Sequence, residues 1–394
     1  MKRKSKIAIG IDVHKEKCAA YATRKDGKKD KTGKLDEFNE QFRRFPSKYE
    51  GMKAFEQFWG HEDYEIHILI ENSTKSHDVY WMLTNLGYRV VVAHATDLYR
   101  ITKSTRKNDD HDARELAGYM RRRLNGEDEF RESFIPDAEW SKKRALCRFL
   151  ATQKNQLART KQQARSYLLL NGISSLDGFN DVSSAKALRV FTDTREVIPK
   201  LMAESMNRNR KLIGFTEKTV LQEFSDNRIF EILLSIPGVG LHTAAYLTAE
   251  IVDMDRFQTK EGFSSYFGVR PSQHDSADSR NKGHISHRGD ELARRLGFQA
   301  TFVHIFHCPD SFISQKYRRL VSHGKHHRVA VIACENSMFM MMFAMIKNDT
   351  VYKSDPSVLA KAREMADNLD LNEDDEDDEQ LTEELLKNGP EEGD

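Results

Sequence analysis

An aspartate sits inside one of the most apolar stretches of this chain, Lys6-Ile-Ala-Ile-Gly-Ile-Asp12-Val-His-Lys15. Ile7–Val13 reads as a buried strand, where a carboxylate is costly without a partner. A second run of the same kind, Glu65-Ile-His-Ile-Leu-Ile-Glu71, also closes on an acid. A third island, Lys107-Asn-Asp109-Asp-His-Asp112-Ala-Arg114, opens an amphipathic helix. Its apolar stripe is Ala113, Leu116, Ala117, Met120 and Leu124, and it stops at Asn125-Gly126. Continued backwards at about 100° per residue, the stripe runs through Asp109 and leaves Asp112 on its flank. Asp110 falls on the opposite flank, within i,i+4 reach of Arg114.

Four carboxylates (Asp12, Glu71, Asp109, Asp112) at strand ends and a helix start would repel one another unless a cation sits among them. Hard divalent ions with oxygen ligands fill that role, Mg²⁺ first and Mn²⁺ as its substitute. Singly, each acid is equally well explained as a turn former or an N-cap. The combination, with one acid inside an apolar strand, favours a metal centre.

At 394 residues the chain exceeds a single core, and two to three domains are expected. The apolar stretch Met338–Ile346 is shorter than the roughly 20 residues of a membrane span. Glu335 and Asn336 precede it, so it reads as a buried helix, and no membrane partner is expected. Met1-Lys-Arg-Lys-Ser leads directly into a strand, which is not the pattern of a secretory leader. Cys18, Cys147, Cys308 and Cys334 show no CxxC spacing, and His304, His307 and Cys308 fit no familiar zinc pattern. A cytoplasmic protein, bacterial or archaeal and nucleoid-associated, is the expectation. The net charge of +1 conceals an asymmetry. Residues 364–394 carry fifteen acids against one lysine, while the preceding 363 residues hold 61 basic and 46 acidic side chains. A basic body with an acidic tail points to a polyanion partner.

The pattern divides into four stretches. Residues 1–125 alternate strands (6–13, 16–23, 64–71, 88–94) with helices (50–59, 76–87, 109–124), an α/β domain whose opening strand pair suggests a ribonuclease H-like, RuvC-like fold. Residues 126–228 are long helices. Leu146, Leu150, Gln153, Leu157, Thr160, Ala164 and Tyr167 form a near-heptad seam, and Lys142, Lys143, Arg144, Arg148, Lys154, Arg159, Lys161 and Arg165 make the remainder basic. The seam fits either a hairpin within the chain or a contact between copies. Residues 229–350 begin with helix, turn, helix, in which Pro237-Gly238-Val239-Gly240 precedes the helix bearing Thr243. This resembles a helix-hairpin-helix that grips a phosphate with its amides, although a plain αα-hairpin has the same outline. A polar loop follows from Phe267 to the helix containing Arg294 and Arg295. Residues 351–394 form an acidic, disordered tail.

Taken together these motifs resemble transposases of the insertion-sequence one-ten family, DEDD recombinases guided by a bridge RNA. Gly10-Ile-Asp12-Val-His-Lys15 is similar to that family's opening motif, Ile68-Leu-Ile-Glu71-Asn to its strand-borne acid, and Lys107-Asn-Asp109-Asp-His-Asp112-Ala113 to its Lys-x-Asp-x-x-Asp-Ala. Ile236-Pro-Gly-Val-Gly-Leu-His-Thr-Ala-Ala, Phe267-Gly-Val-Arg-Pro271 and Ile285-Ser-His-Arg-Gly-Asp290 are similar to its carboxy-terminal serine domain. The resemblance implies that Asp12, Glu71, Asp109 and Asp112 hold Mg²⁺. It also implies a serine nucleophile a few residues after Gly-x-x-Pro, which in position is Ser276. Ala277 stands where the family usually has Gly, and Ser272 and Ser279 lie close by. The family's Glu-Ala-Thr-Gly-x-Tyr is replaced by Glu71-Asn-Ser-Thr-Lys-Ser-His-Asp-Val-Tyr80.

The implied activity is a DNA recombinase that cuts and rejoins donor and target double strands through a covalent serine–DNA intermediate. A structured guide RNA would choose the sequence, and at least a dimer, or a tetramer, would act. Arg280, Arg288, Arg294 and Arg295 are candidate phosphate clamps beside Gly238, Gly240 and Thr243. One rival is a junction-resolving nuclease of the same fold working by hydrolysis, which would need neither serine nor third domain. A sugar-kinase-like ATPase would need a second lobe with glycine-rich phosphate loops. A non-catalytic DNA-binding regulator would have no use for the four acids.

Overall fold

The computed structural model describes residues 4–24, 42–60, 64–94, 97–98, 108–127, 130–171, 181–193, 195–276, 279–285 and 289–352, and of 271–285 the backbone alone. It divides into two compact units, Met1–Pro136 and Asp137–Asp394. The acidic tail and Arg288 lie outside the described residues.

In the first unit five strands form one mixed sheet: β1 (Ser5–Val13), β2 (Lys17–Arg24), β3 (Phe42–Pro46), β4 (Tyr64–Glu71) and β5 (Arg89–Ala93), in the order β3-β2-β1-β4-β5. β1 pairs antiparallel with β2 and parallel with β4, so its backbone is satisfied on both sides. Period-two alternation then assigns the faces. Ile7, Ile9, Ile11 and Val13 pack with Met52, Phe55 and Trp59 of α1 (Tyr49–Trp59) and Val79 and Leu83 of α2 (Ser76–Asn85). Each such side chain fully buried contributes about 1.5–3 kcal/mol. The even positions, Ala8, Gly10 and Asp12, point the other way, where α3 (Asp109–Asn125) lies on the sheet through Ala113, Leu116, Ala117 and Met120. That stripe is the one the sequence indicates, with Tyr119 added. Gly10 makes the approach possible. A Cβ there would lie 2.2 Å from the Ala113 carbonyl oxygen and 2.3 Å from the Ala117 nitrogen.

β3 is an element that the sequence pattern does not announce. Phe-Arg-Arg-Phe-Pro is short and charged, an edge-strand composition rather than an alternating one.

The second unit is mainly helical, consistent with the α part of the expected α/β-plus-α class. Its longest helix is α4 (Ala138–Leu170), followed by α5 (Ala185–Thr192) and α6 (Val197–Phe224). α4 and α6 pack side by side. Cys147 and Leu150 of α4 meet Val220, Leu221 and Phe224, while Ala164 and Leu168 meet Ala203 and Met206. Lys154 and Glu217 close the flank at 2.5 Å. The near-heptad seam is thus occupied within the chain, and Leu150 is fully buried.

Of the basic residues read from sequence on this helix, Arg144 and Arg148 are engaged by the end of a neighbouring helix, Arg144 from a buried position and Arg148 from an exposed one. Arg144 is buried, its Nε donating to the Ala249 carbonyl at 2.8 Å and its Nη2 to that of Glu250 at 3.1 Å. Arg148 pairs with the Glu250 carboxylate at 2.9 Å. The cause is the end of α8 (Leu241–Ile251), whose last carbonyls lack helical partners and take guanidinium donors instead. Between α6 and α8 runs α7 (Arg228–Leu234), and after them come α9 (Lys260–Tyr266), α10 (Glu291–His307), α11 (Phe312–Ser322) and α12 (His327–Lys347).

The segment expected to be a loop contains a two-stranded hairpin, β6 (Pro271–Ser276) and β7 (Ser279–Ile285). Its residues are polar on both sides of the alternation, so no period-two signal marks it. α12 is, among the described residues, the one helix long and apolar enough to cross a bilayer. It runs well beyond the stretch read from sequence, yet Ala330, Val331, Cys334, Met338, Phe339, Met342 and Met345 are buried in the unit's core.

Two outcomes follow from this packing. Gly10→Ala should force α3 off β1 and cost about 1–3 kcal/mol by overpacking, read as a melting temperature several degrees lower; an unchanged melt would mean that α3 does not seat there. Glu335, buried on α12, has its carboxyl pushed up to about 8 by burial, opposed by Arg294. Folding then binds a proton that the unfolded chain releases at ordinary carboxylate pH, so stability falls as pH rises from that range towards 8. Glu335→Gln should flatten that slope and raise stability at pH 8; a slope as steep as in the wild type would exclude Glu335 as its source.

Candidate functional site

Asp12 lies one residue short of the end of β1, on the face that α3 covers. α3 starts at the same end of the sheet. Asn108 caps it, its side chain accepting from the Asp110 backbone N–H, and the acids of its first turn are Asp109, Asp110 and Asp112. Anions are favoured there by the helix dipole. Asp109 and Asp112 come to Asp12, and both push its carboxyl pKa upwards. The largest cause of that rise is burial, with the His14 imidazole acting in the opposite sense.

His14 lies between two of the acids. Its Nε2 is 3.1 Å from Asp12 Oδ2 and 3.2 Å from Asp109 Oδ1. Asp12, His14 and Asp109 offer ligand atoms that all lie within 4.8 Å of one another. Asp112 Oδ1 is buried and has no hydrogen-bond partner. Glu71 ends β4 one register step beyond the Ile11–Ile70 pair, which sets it on the strand next to Asp12, outside that close triplet. Three of the four sequence-selected acids are therefore drawn together, and the fourth terminates the neighbouring parallel strand.

Sequence reasoning passed over His14, which stands two residues after Asp12 and directly past the end of β1. It also misplaced the partner of Asp110. Arg44 on β3 reaches that carboxylate at 2.6 Å, whereas the Arg114 guanidinium lies over the Tyr21 ring, 5.1 Å from its centroid. Asp110 is thus turned towards the edge strand, on the flank away from Asp112.

In the second unit, Ser276 closes β6, its Cα paired with that of Ser279, and Arg280 pairs with Asp275 in the same register. Ser272 also falls on β6. The turn joining α7 to α8 contains Gly238 at φ +95°, which favours glycine. A Cβ at Gly238 would meet the Ala300 carbonyl at 2.4 Å and the His304 nitrogen at 2.8 Å, so that face abuts α10. His304 fastens the same turn through a 2.8 Å hydrogen bond between its Nδ1 and the Pro237 carbonyl. Gly240, by contrast, has open space around its Cα. Thr243 is buried within α8. Arg294 is turned towards Glu335, and Arg295 is exposed on α10.

Residues 9–172 match the IS110-type DEDD transposases, and residues 230–318 match the family described as Transposase IS116/IS110/IS902. Together these take in more than half of the chain, which belongs to the IS110 family of transposases. It is 26% identical over 165 residues to the insertion element IS110 43.6 kDa protein of Streptomyces coelicolor, covering 41% of this chain and 40% of that protein. It is 26% identical over 175 residues to the transposase for insertion sequence element IS1111A of Coxiella burnetii, covering 44% and 47%. Against the pilin gene-inverting protein of Moraxella bovis it is 28% identical over 125 residues, covering 31% and 38%. The matches span less than half the length of each of these relatives.

A DEDD family implies a divalent metal. The donor set suits one: carboxylate oxygens grouped at a sheet end, one of them buried without a hydrogen bond, and a single imidazole nitrogen.

Proposed function

We propose that this chain is a DNA recombinase that moves an insertion sequence by cutting and rejoining strands, with Mg²⁺ or Mn²⁺ held by Asp12, Glu71, Asp109 and Asp112 and with Ser276 as nucleophile. The observation that carries the reading is the convergence of Asp12, Asp109 and Asp112 at the end of β1, the Asp112 Oδ1 buried without a hydrogen bond and 3.5 Å from His111 Nδ1. Burial, with Asp109 and Asp112 close by, raises the Asp12 carboxyl pKa, and a cation held among the three acids would oppose that rise. When bound, the metal supplies Lewis-acid charge stabilisation at the scissile phosphate.

Ser276 Oγ attacks phosphorus. The bond from phosphorus to the leaving deoxyribose oxygen breaks as the Ser Oγ–P bond forms, and the serine proton passes to a base while the leaving oxygen takes one up. A strand end from the partner duplex later reverses the exchange. Phosphodiester bonds are conserved in number, so no nucleotide hydrolysis is required. Ser276 and the acids belong to different units, so each half lacks a part of the chemistry that the other holds.

The basic body suits partners read through their phosphates, and a structured guide RNA would supply sequence choice by pairing. The amides around Gly240 and the Arg280, Arg288 and Arg295 side chains are the candidate phosphate contacts. Two DNA sites must be held at once, which calls for a dimer or a tetramer acting at the nucleoid. Similarity to a pilin gene-inverting protein favours strand exchange over hydrolysis, since inversion and insertion differ only in how the two sites are arranged.

With a supercoiled plasmid carrying cognate ends, guide RNA and Mg²⁺, Asp12→Asn, Asp109→Asn and Asp112→Asn should each reduce recombinants by about a hundredfold or more, the loss expected when charge stabilisation is removed. Asp110→Asn, which loosens only the Arg44 pair, should remain active. The reverse pattern at positions 110 and 112 would overturn the assignment of the helix face. Separately, Ser276→Ala should bind DNA yet form no denaturation-resistant protein–DNA adduct, while Ser272→Ala and Ser279→Ala form it. An adduct that peptide mass places on another residue would remove Ser276 from its role.

A further inference from the structure

Residues 311–334 hold five basic side chains (Lys316, Arg318, Arg319, Lys325, Arg328) and three histidines without a single Asp or Glu, in a chain with 61 acids among 394 residues. This stretch spans α11, the turn after it and the first eight of the 21 residues of α12. Lys316 is turned inward, donating to the Ala333 carbonyl and to Ser337 Oγ, both at 2.6 Å. Everything from Val321 to Val329, including Lys325 and Arg328, is exposed.

Four rings gather beside it. Phe302 and Phe306, one turn apart on α10, have centroids 4.9 Å apart. His327, the first residue of α12, lies 5.7 Å from Phe302 and 5.5 Å from Tyr317, and Tyr317 lies 6.5 Å from Phe306. A hydrogen bond between the Tyr317 hydroxyl and the His327 ring fixes one edge. Tyr317 backs onto the core, whereas Phe306 is 59% exposed and Phe302 38%. Planar π-faces left in water beside a belt of positive charge unrelieved by acids suit a ligand with flat faces and a negative backbone.

We infer that Phe302, Phe306, Tyr317 and His327 form a stacking platform for unpaired nucleotides, with Lys325 and Arg328 taking the adjoining phosphates. Unpaired bases offer π-faces that a duplex keeps inside its stack, so the platform selects single strands, of RNA or of DNA, over double strands. The inference rests on the nucleic-acid reading above for the origin of such a strand, but on neither the metal nor the serine. A looped-out region of a guide RNA and a strand displaced from DNA share this chemistry.

The test is fluorescence anisotropy of the full chain in EDTA, with labelled mixed-sequence single strands of about 12 nucleotides, RNA and DNA in separate arms, and the matching duplexes. The double variant Phe302→Ala/Phe306→Ala should weaken single-strand binding by about tenfold or more while leaving duplex binding within about twofold. Phe302→Tyr/Phe306→Tyr should restore it, because the ring faces return. Lys325→Gln/Arg328→Gln should weaken binding and lower the slope of log affinity against log salt. 2-Aminopurine in the single strand should be quenched by the wild type and not by the alanine pair. A stronger loss in the RNA arm would identify RNA as the source, and a stronger loss in the DNA arm a displaced strand. Equal losses on single strands and duplexes, or no loss, would overturn the platform. So would a change in molecular mass by light scattering in the alanine pair, which would make the patch a contact between copies. If the alanine pair melts early, Phe306→Ala alone reads the same ratio. No metal or cognate end is present, so failure of strand transfer and failure of stacking are read separately.

Discussion

The close approach of α3 to β1 at Gly10 is the contact on which the grouping of acids in the first unit depends. Strand alternation puts Ala8, Gly10 and Asp12 on one face, and the missing Cβ at Gly10 lets the backbone of α3 settle directly upon it. The apolar stripe of α3 then fixes the helix's rotation, which carries Asp109 and Asp112 to Asp12. Small residues at the contact therefore serve the acids as much as the core: Ala8, Ala113 and Ala117 are buried without bulk so that the carboxylates can converge.

Most of this was legible in the sequence because it is periodic. Strands with apolar runs (β1, β2, β4, β5) and helices with clear stripes (α1, α2, α3) announce themselves through spacing. Asp12, Asp109 and Asp112 could be grouped because each is placed by an element whose phase was readable. What escaped depends on partners far away in the chain. β3 carries two arginines in five residues and is a strand only because β2 offers it an edge. The choice of Arg44 for Asp110 follows from that hidden strand. Arg144 was legible only as one of a run of basic residues, since nothing local reveals that the carbonyl end of α8 lies against it. The β6–β7 hairpin is defined by backbone pairing alone, without an apolar face to betray it.

The two units use charge in opposite ways. In the first, like charges are held together at a sheet end, a costly arrangement that a bound cation would relieve. In the second, the buried Glu250 is enclosed by Arg144 and Arg148, and the helix end beside it is closed by Arg256, whose Nη1 donates to the Ile251 carbonyl at 2.6 Å. Buried ion pairs of this kind add little net stability, but they tolerate few alternative orientations.

That tolerance has a mechanical side. α4 contains 33 residues, a rod of about 50 Å at 1.5 Å per residue. It is clamped to α8 near one end, through Arg144 and Arg148, and leaves its far end with Leu169 and Leu170 in water. Beyond the clamp the rod is also held by α6, through Lys154–Glu217 and through Ala164 and Leu168 against Ala203 and Met206. A load on the exposed tip is therefore shared between the α4–α6 seam and the guanidinium clamp at the end of α8.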